Sequence, residues 1–240
     1  MLARQIAAVG GTPVVFPVIV ILPPTDRRSL DRAQRELDQY DFAVFVSANA
    51  VEYGVGDPAA WPTKLIAFAP GPGTVGALAA VGIEDARMPT TTMDSEGLLA
   101  LPEFAPAAVA GKRVAIFRGS GGRDVLGDTL VKRGARVDYV DCYRRAKPEG
   151  GAAGLLEAWR EGRIDAVTMT SREGLDNLWT ILDAYGREKL IATPMFVPHS
   201  RIAEGARDLG VSEIIVSEAT DAGLLASLLQ YFTRVSPDVH

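Results

Sequence analysis

Five short stretches of this chain carry residues able to hold an anion. They are Ser47-Ala48-Asn49, Pro70-Gly71-Pro72-Gly73-Thr74, Arg118-Gly119-Ser120-Gly121-Gly122-Arg123, Ser171-Arg172-Glu173 and Pro198-His199-Ser200-Arg201. Each follows a short apolar run and leads into a helical pattern. Free N–H groups and the dipole at a helix start favour a carboxylate or phosphate there. Each stretch also has a plainer reading, because Ser47, Thr74, Ser171 and Ser200 are good N-cap residues. Seven arginines (113, 118, 123, 133, 136, 144 and 145) fall in one region. They are either solvated surface charges or, in part, anion contacts. Tyr143 stands beside Arg144 and Arg145, and its phenol is a candidate hydrogen-bond donor and weak general acid. The alternative is an ordinary buried tyrosine where the chain crosses between domains.

Other chemistries are poorly supported. Arg118-Gly119-Ser120-Gly121-Gly122 leads into Arg123-Asp124, which lacks the Lys-Ser/Thr end of a P-loop and the third glycine of a dinucleotide turn. His199 has no nucleophile elbow to serve and reads as a polar loop residue. With two histidines and one cysteine, Cys142, no set of metal ligands has a workable spacing. The lone cysteine also excludes an internal disulfide and points to a reducing cytoplasm. A net charge of −5 argues against nucleic acid as a partner. The longest apolar stretch, Pro13 to Pro24, is interrupted by Pro17 and Pro23 and is too short for a membrane span. No secretory signal pattern opens the sequence.

Short β-branched runs alternate with amphipathic runs, the pattern of parallel sheets covered by helices on both faces. Strands are expected at Pro13–Phe16, Ala43–Val46, Leu65–Ala69, Arg113–Phe117, Arg136–Val140, Ala166–Met169, Met195–Val197 and Ile214–Val216. Helices are expected at 2–9, 29–39, 48–53, 74–81, 95–101, 122–132, 152–161, 173–185, 201–209 and 222–232. Gly10, Gly82, Gly134 and Gly210 read as helix C-caps.

The pattern then repeats. Asp41-Phe42-Ala43-Val44-Phe45-Val46-Ser47 recurs as Asp165-Ala166-Val167-Thr168-Met169-Thr170-Ser171. Val9–Val14 matches Arg133–Val137, and Ser95–Leu99 matches Asp221–Leu225. The expectation is an α/β protein of two similar doubly wound parallel-sheet domains joined by a two-stranded β-ladder hinge. One domain takes residues 1–17 and 147–240, the other takes 24–140, and the hinge takes 18–23 and 141–146. A ligand would lie in the cleft between them. Arg113–Gly119 in the second copy has no counterpart in the first, so a first strand and its loop are expected to be missing ahead of residue 1.

Taken in order, these motifs resemble the uroporphyrinogen-III synthase family. The matching residues are Phe45-Val46-Ser47-Ala48-Asn49-Ala50-Val51, Gly71-Pro72-Gly73-Thr74-Val75 with Leu78 and Gly82, and Asp94-Ser95-Glu96-Gly97-Leu98-Leu99. Arg118-Gly119 with Gly121-Gly122-Arg123, Tyr143-Arg144-Arg145, Thr170-Ser171 and Ser200-Arg201-Ile202-Ala203 with Gly210 complete the set. Family members open with a strand bearing Thr-Arg-Pro, which this sequence lacks. The resemblance implies a hydroxymethylbilane substrate, no cofactor, and closure to uroporphyrinogen III with inversion of ring D and loss of water. It implies a monomer in which Tyr143 assists departure of the hydroxyl. Ser47, Ala48, Asn49, Gly71, Gly73, Thr74, Arg118, Gly119, Ser120, Arg123, Ser171, Arg172, Ser200 and Arg201 would contact substrate. Two rival readings are a two-domain small-molecule binding protein and a non-catalytic regulatory homologue.

Overall fold

The computed structural model describes residues 1–122 and 124–235. The elements run α1 (Leu2–Ala8), β1 (Val20–Leu22), α2 (Arg28–Arg35), β2 (Phe42–Phe45), α3 (Ala48–Gly54), β3 (Ile66–Phe68) and α4 (Pro72–Ala80). They continue with α5 (Ser95–Leu99), α6 (Pro106–Val109), β4 (Arg113–Gly119), α7 (Val125–Lys132), β5 (Arg136–Ala146) and α8 (Ala153–Arg160). The last are β6 (Val167–Thr168), α9 (Arg172–Ile181), α10 (Ala184–Ala192), β7 (Met195–Val197), α11 (Ser200–Asp208), β8 (Ile214–Val216) and α12 (Asp221–Val235). The chain divides into two compact units, Met1–Val20 with Lys147–His240, and Ile21–Ala146.

The Ile21–Ala146 unit is built on a five-stranded sheet of order β1-β5-β4-β2-β3. The pairs β5–β4, β4–β2 and β2–β3 are parallel. The four residues of β2 are all buried, which is why that strand reads as a continuous apolar run. Alternate residues feed two cores. Ala43, Phe45, Ala115, Phe117 and Cys142 face α2, α3 and α4. Phe42, Val44, Val114 and Ile116 face α5, α6 and α7. Phe45 stacks on Phe117 at 4.6 Å, an aromatic pair beyond simple burial. At the strand entry, Arg113 binds Glu36 at 2.7 Å and Asp138 at 2.9 Å, tying α2 to β4 and β5.

The other unit carries a parallel three-stranded sheet, β6-β7-β8. Met195 and Val197 pack with α8, α9, α10 and α11. Phe196 packs on the opposite side with Leu2 and Ile6 of α1 and Leu224 and Leu228 of α12. Both sheets are thus clothed on two faces.

Two expectations are corrected. Pro13–Phe16 forms no strand. A strand needs a ladder partner, and β5, its repeat counterpart, has β4 beside it. The helix expected over 173–185 ends at Ile181, where Leu182 turns extended at ψ 138°. Asp183 then caps a separate helix, α10, by accepting the Gly186 N–H at 2.8 Å. Hydrophobic period alone does not reveal such a break, because Leu178, Leu182 and Leu190 are all buried. At the crossings, β1 is the edge strand of the five-stranded sheet and lies next to β5. Gly10, Gly82, Gly134 and Gly210 all have φ between 86° and 90°, as helix-ending glycines require.

Candidate functional site

The order β5-β4-β2-β3 contains a reversal. From β2 the chain moves outward to β3, then returns to the opposite side of β2 for β4. Parallel sheets bind ligands beyond the carboxyl ends of strands at such a switch point. Here those ends are Phe45 of β2, followed by Val46-Ser47, and Gly119 of β4, followed by Ser120.

Tyr143 joins the two. It lies on the same edge of the site because β5 continues past β4 to Ala146, with a register irregularity at Arg118/Gly119 that brings Gly119 opposite Tyr143. The ring is only 3% exposed. Its phenol and the Ser47 hydroxyl lie 3.2 Å apart, and either can donate. The Tyr143 carbonyl accepts from the Ser120 N–H at 2.8 Å and from its hydroxyl at 3.3 Å. A Cβ on Gly119 would come within 2.7 Å of the Tyr143 ring, so glycine is what lets the ring lie there. Tyr53, whose hydroxyl donates to the Ile21 carbonyl, sits with its ring 6.4 Å from that of Tyr143.

Ser47 serves twice, since its oxygen also accepts the Ala50 N–H at 3.1 Å and caps α3. Ala48 is exposed and Asn49 half-buried on the first turn of that helix. Gly71 caps α4, Gly73 is exposed in its first turn, and Thr74 lies inside the helix and is buried. Thr74 is therefore not the N-cap that its position suggested.

Arg118 is held on several sides. Its Nε donates to Asp141 at 3.1 Å, and its Nη1 donates to Asp124 at 2.5 Å and to the Gly122 carbonyl at 3.1 Å. The guanidinium also covers the Tyr139 ring at 4.0 Å. Burial works against its charge, but hydrogen bonds and attraction from Asp124 and Asp141 together outweigh that and raise its affinity for its proton. In this structure Arg118 fixes the turn that carries Gly119 and Ser120. Arg133 likewise donates to the Leu99 and Phe104 carbonyls at 2.7 Å each. Arg144 has a buried Nε with no partner among the described residues. Arg123 lies outside the described residues.

In the other unit, Ser171 caps α9 by accepting the Gly174 N–H at 3.0 Å, the counterpart of Ser47. Arg172 binds Asp176 at 2.9 Å and Asp208 at 3.7 Å. Gly205 of α11 packs against its side chain, so Arg172 clamps α9 to α11. His199, not Ser200, is the N-cap of α11, and Ser200 and Arg201 are exposed in its first turn. The structure therefore joins Ser47, Gly119, Ser120 and Tyr143 by direct contact and places Arg118 behind them. Tyr53 and Asp141 were not legible as members of this group. Asp141 is found only once β4 and β5 are in register, and Tyr53 only through tertiary contact.

Among the described residues no group of three or more His, Cys, Asp or Glu converges to hold a metal ion, and no helix is long and apolar enough to cross a membrane. The family model described as uroporphyrinogen-III synthase HemD matches residues 1–226. The chain is 33% identical to a uroporphyrinogen-III synthase of Salmonella typhimurium, over 95% of this chain and 94% of that one. It is 32% identical to that of Escherichia coli with the same coverage. Crystal structures of a mutant Thermus thermophilus uroporphyrinogen III synthase and of the Helicobacter pylori enzyme superpose with TM-scores of 0.55 each. The first covers 97% of this chain and 94% of that chain at 19% identity; the second covers 91% and 95% at 11% identity, so both speak for the fold. On the match of the family model and of these relatives over nearly its whole length, the chain belongs to the uroporphyrinogen-III synthase family.

Proposed function

We propose that the Ser47–Tyr143 pair is where this synthase carries out ring closure, with Tyr143 as the acid that releases the substrate's terminal hydroxyl. The activity is that of a cyclising lyase of tetrapyrrole biosynthesis. Its substrate in this reading is hydroxymethylbilane, a linear tetrapyrrole bearing eight carboxylates. The observation that carries the reading is a tyrosine hydroxyl held 3.2 Å from a serine hydroxyl at the switch point of a parallel sheet.

The chemistry balances with these groups alone. The Tyr143 phenol gives its proton to the terminal hydroxyl, the carbon–oxygen bond breaks, and water departs. Electron density from the adjacent pyrrole nitrogen supports the cationic methylene. That carbon bonds to ring D, and ring D inverts by way of a spiro intermediate. The proton lost in closing the macrocycle returns to the phenolate. Ser47 donates to the phenolate while it exists, which eases its formation. Because the substrate is flexible and can close without help to the uninverted isomer, holding its geometry is most of the catalytic task.

In this reading Ser47, Ala48, Asn49, Gly71, Gly73 and Ser120 of the Ile21–Ala146 unit meet carboxylates of the substrate, and Ser171, Ser200 and Arg201 are candidate carboxylate contacts within their own unit. Arg118 and Arg172 act by fixing the loops around them. Arg144, with its unpartnered Nε, is a further carboxylate ligand in this reading. The enzyme is a cytoplasmic monomer without a nucleic-acid partner in this reading, supported by the single buried thiol, the net charge of −5 and the family resemblance.

The test is direct. Protein incubated with freshly generated hydroxymethylbilane should give the type III isomer faster than the spontaneous reaction gives type I, as separated by chromatography. Type I alone at the spontaneous rate would overturn the reading in favour of a binding protein.

A further inference from the structure

Two residues hold the segment where the chain crosses from one unit to the other, and the internal repeat makes them equivalents. Tyr53 lies six residues beyond the capping Ser47, and Asn177 lies six beyond the capping Ser171. In the Ile21–Ala146 unit the Tyr53 hydroxyl donates to the Ile21 carbonyl at 3.1 Å. In the other unit the Asn177 amide donates to the Val18 carbonyl at 2.9 Å. Each unit thus fastens its own end of Val18-Ile19-Val20-Ile21, from the helix that its serine starts.

The two fastenings differ in one respect. At 177 an asparagine amide suffices for the bond. At 53 the same task falls to a tyrosine, whose ring lies 6.4 Å from that of Tyr143 at an angle of 42°. Aromatic rings at that separation attract one another beyond simple burial. The place corresponding to Tyr143 in the other copy is Ile19, which has no hydroxyl to aim. The ring at 53 therefore goes with the phenol at 143 and not with the crossing alone.

Its surroundings give Tyr53 little freedom. The near end is fixed by α3, which Ser47 caps and whose last residue, Gly54, sits tightly on β4 and β5. A Cβ on Gly54 would come within 2.9 Å of the Phe117 ring and 3.4 Å of the Cys142 sulfur. Gln34 also donates to the Gly54 carbonyl at 3.0 Å. The far end is fixed at Ile21 on β1, the strand beside the one that carries Tyr143. A ring held at both ends limits the motion of the ring next to it. We propose that Tyr53 is a positioning residue: anchored between α3 and β1, it keeps the Tyr143 ring in the orientation that brings the Ser47 and Tyr143 hydroxyls together. The inference rests on the reading of Tyr143 as the acid.

The experiment measures type III product from hydroxymethylbilane for Tyr53→Phe, Tyr53→Leu and Asn177→Ala. It also compares Tyr143→Phe with the Tyr143→Phe/Tyr53→Leu double variant, and records thermal midpoints throughout. Phenylalanine keeps the ring and loses its anchor, whereas leucine loses both, so kcat should fall about threefold in Tyr53→Phe and about tenfold in Tyr53→Leu. KM should stay within about twofold, because the residue holds the acid and not the substrate. Asn177→Ala loses an equivalent hydrogen bond and should lower the thermal midpoint while leaving kcat at the native value. With no phenol left to aim, Tyr53→Leu should cause no further loss in the Tyr143→Phe protein. The positioning role is wrong if the folded Tyr53 variants keep native kcat, or if their loss appears in KM instead. It is equally wrong if Tyr53→Leu costs the same factor with and without the Tyr143 phenol, or if Asn177→Ala lowers kcat as much as Tyr53→Phe. A Tyr53→Leu protein that does not fold leaves Tyr53→Phe to decide, by the same split between kcat and KM. Tyr143→Phe alone separates the two roles. Full turnover there would remove the acid, whereas a loss there with native kcat in the Tyr53 variants would remove only the positioning.

Discussion

Tyr143 is fixed by contacts on three sides: the Ser47 hydroxyl at its phenol, the Gly119 backbone under its ring, and Ser120 at its carbonyl. Gly119 is the most exacting of these. Its backbone is not in the left-handed region, so alanine there is opposed by the ring and not by its φ. Gly119→Ala should cost about 1–3 kcal/mol in urea unfolding. It should also lower turnover by displacing the phenol. Full activity at unchanged stability would show that the ring has room to move. Cys142, the neighbour of Tyr143, makes a prediction of a different kind. Burial pushes its thiol up to about 12. The folded protein thus keeps a proton that the unfolded chain gives up above about 8.5. That contribution is complete below the unfolded value and is lost as pH rises from there towards about 12, reaching up to about 2 kcal/mol near pH 10. Urea midpoints measured at pH 8 and pH 10 should fall further for the native protein than for Cys142→Ala; equal falls would contradict it. Tyr143 was legible in the sequence as a candidate because a phenol among arginines at a domain crossing is an uncommon setting. The role of Arg118 was not, because its two carboxylates, Asp124 and Asp141, come beside it only through the fold.

At the scale of elements, the two repeat copies use the same device for different ends. Ser47 and Ser171 each start a helix by accepting an N–H three residues on, at 3.1 and 3.0 Å. Only Ser47 also reaches a tyrosine hydroxyl. Replacing either by alanine should cost about 1 kcal/mol as the cap is lost. Ser47→Ala should in addition reduce kcat, leaving the Ser171→Ala enzyme nearer to native. Thermal melts and initial rates on both variants check this, and an equal loss of kcat in the two would deny Ser47 its second task. Caps were readable from sequence where the side chain is short and stands just before a helical period, as at Ser47 and Ser171. They were misplaced at Thr74 and Ser200, where Gly71 and His199 have the extended backbone of an N-cap. The split of α9 from α10 was hidden for a related reason: Asp183 interrupts a run whose apolar spacing continues through it.

At the scale of the whole molecule, the repeat accounts for most of what the sequence disclosed. Parallel strands flanked by helices, the glycine caps and the correspondence of Ser47 with Ser171 all follow from two copies of one pattern. What the repeat could not give was the state of its unpaired parts. Pro13–Phe16 has the composition of a strand, yet a strand exists only with a neighbour to bond, and none lies beside it among the described residues. The five-stranded and three-stranded sheets differ for that reason, although the helices around them are laid out alike. The reaction site proposed here, by contrast, needs one intact switch point, and the β2–β4 reversal supplies it. The most direct test of the account is therefore Tyr143→Phe, assayed for type III product on hydroxymethylbilane with its thermal midpoint measured alongside. The account predicts that kcat falls by about 100-fold or more. It predicts that the fold loses only about 1 kcal/mol with the hydroxyl. Unchanged turnover in a folded Tyr143→Phe protein would contradict it.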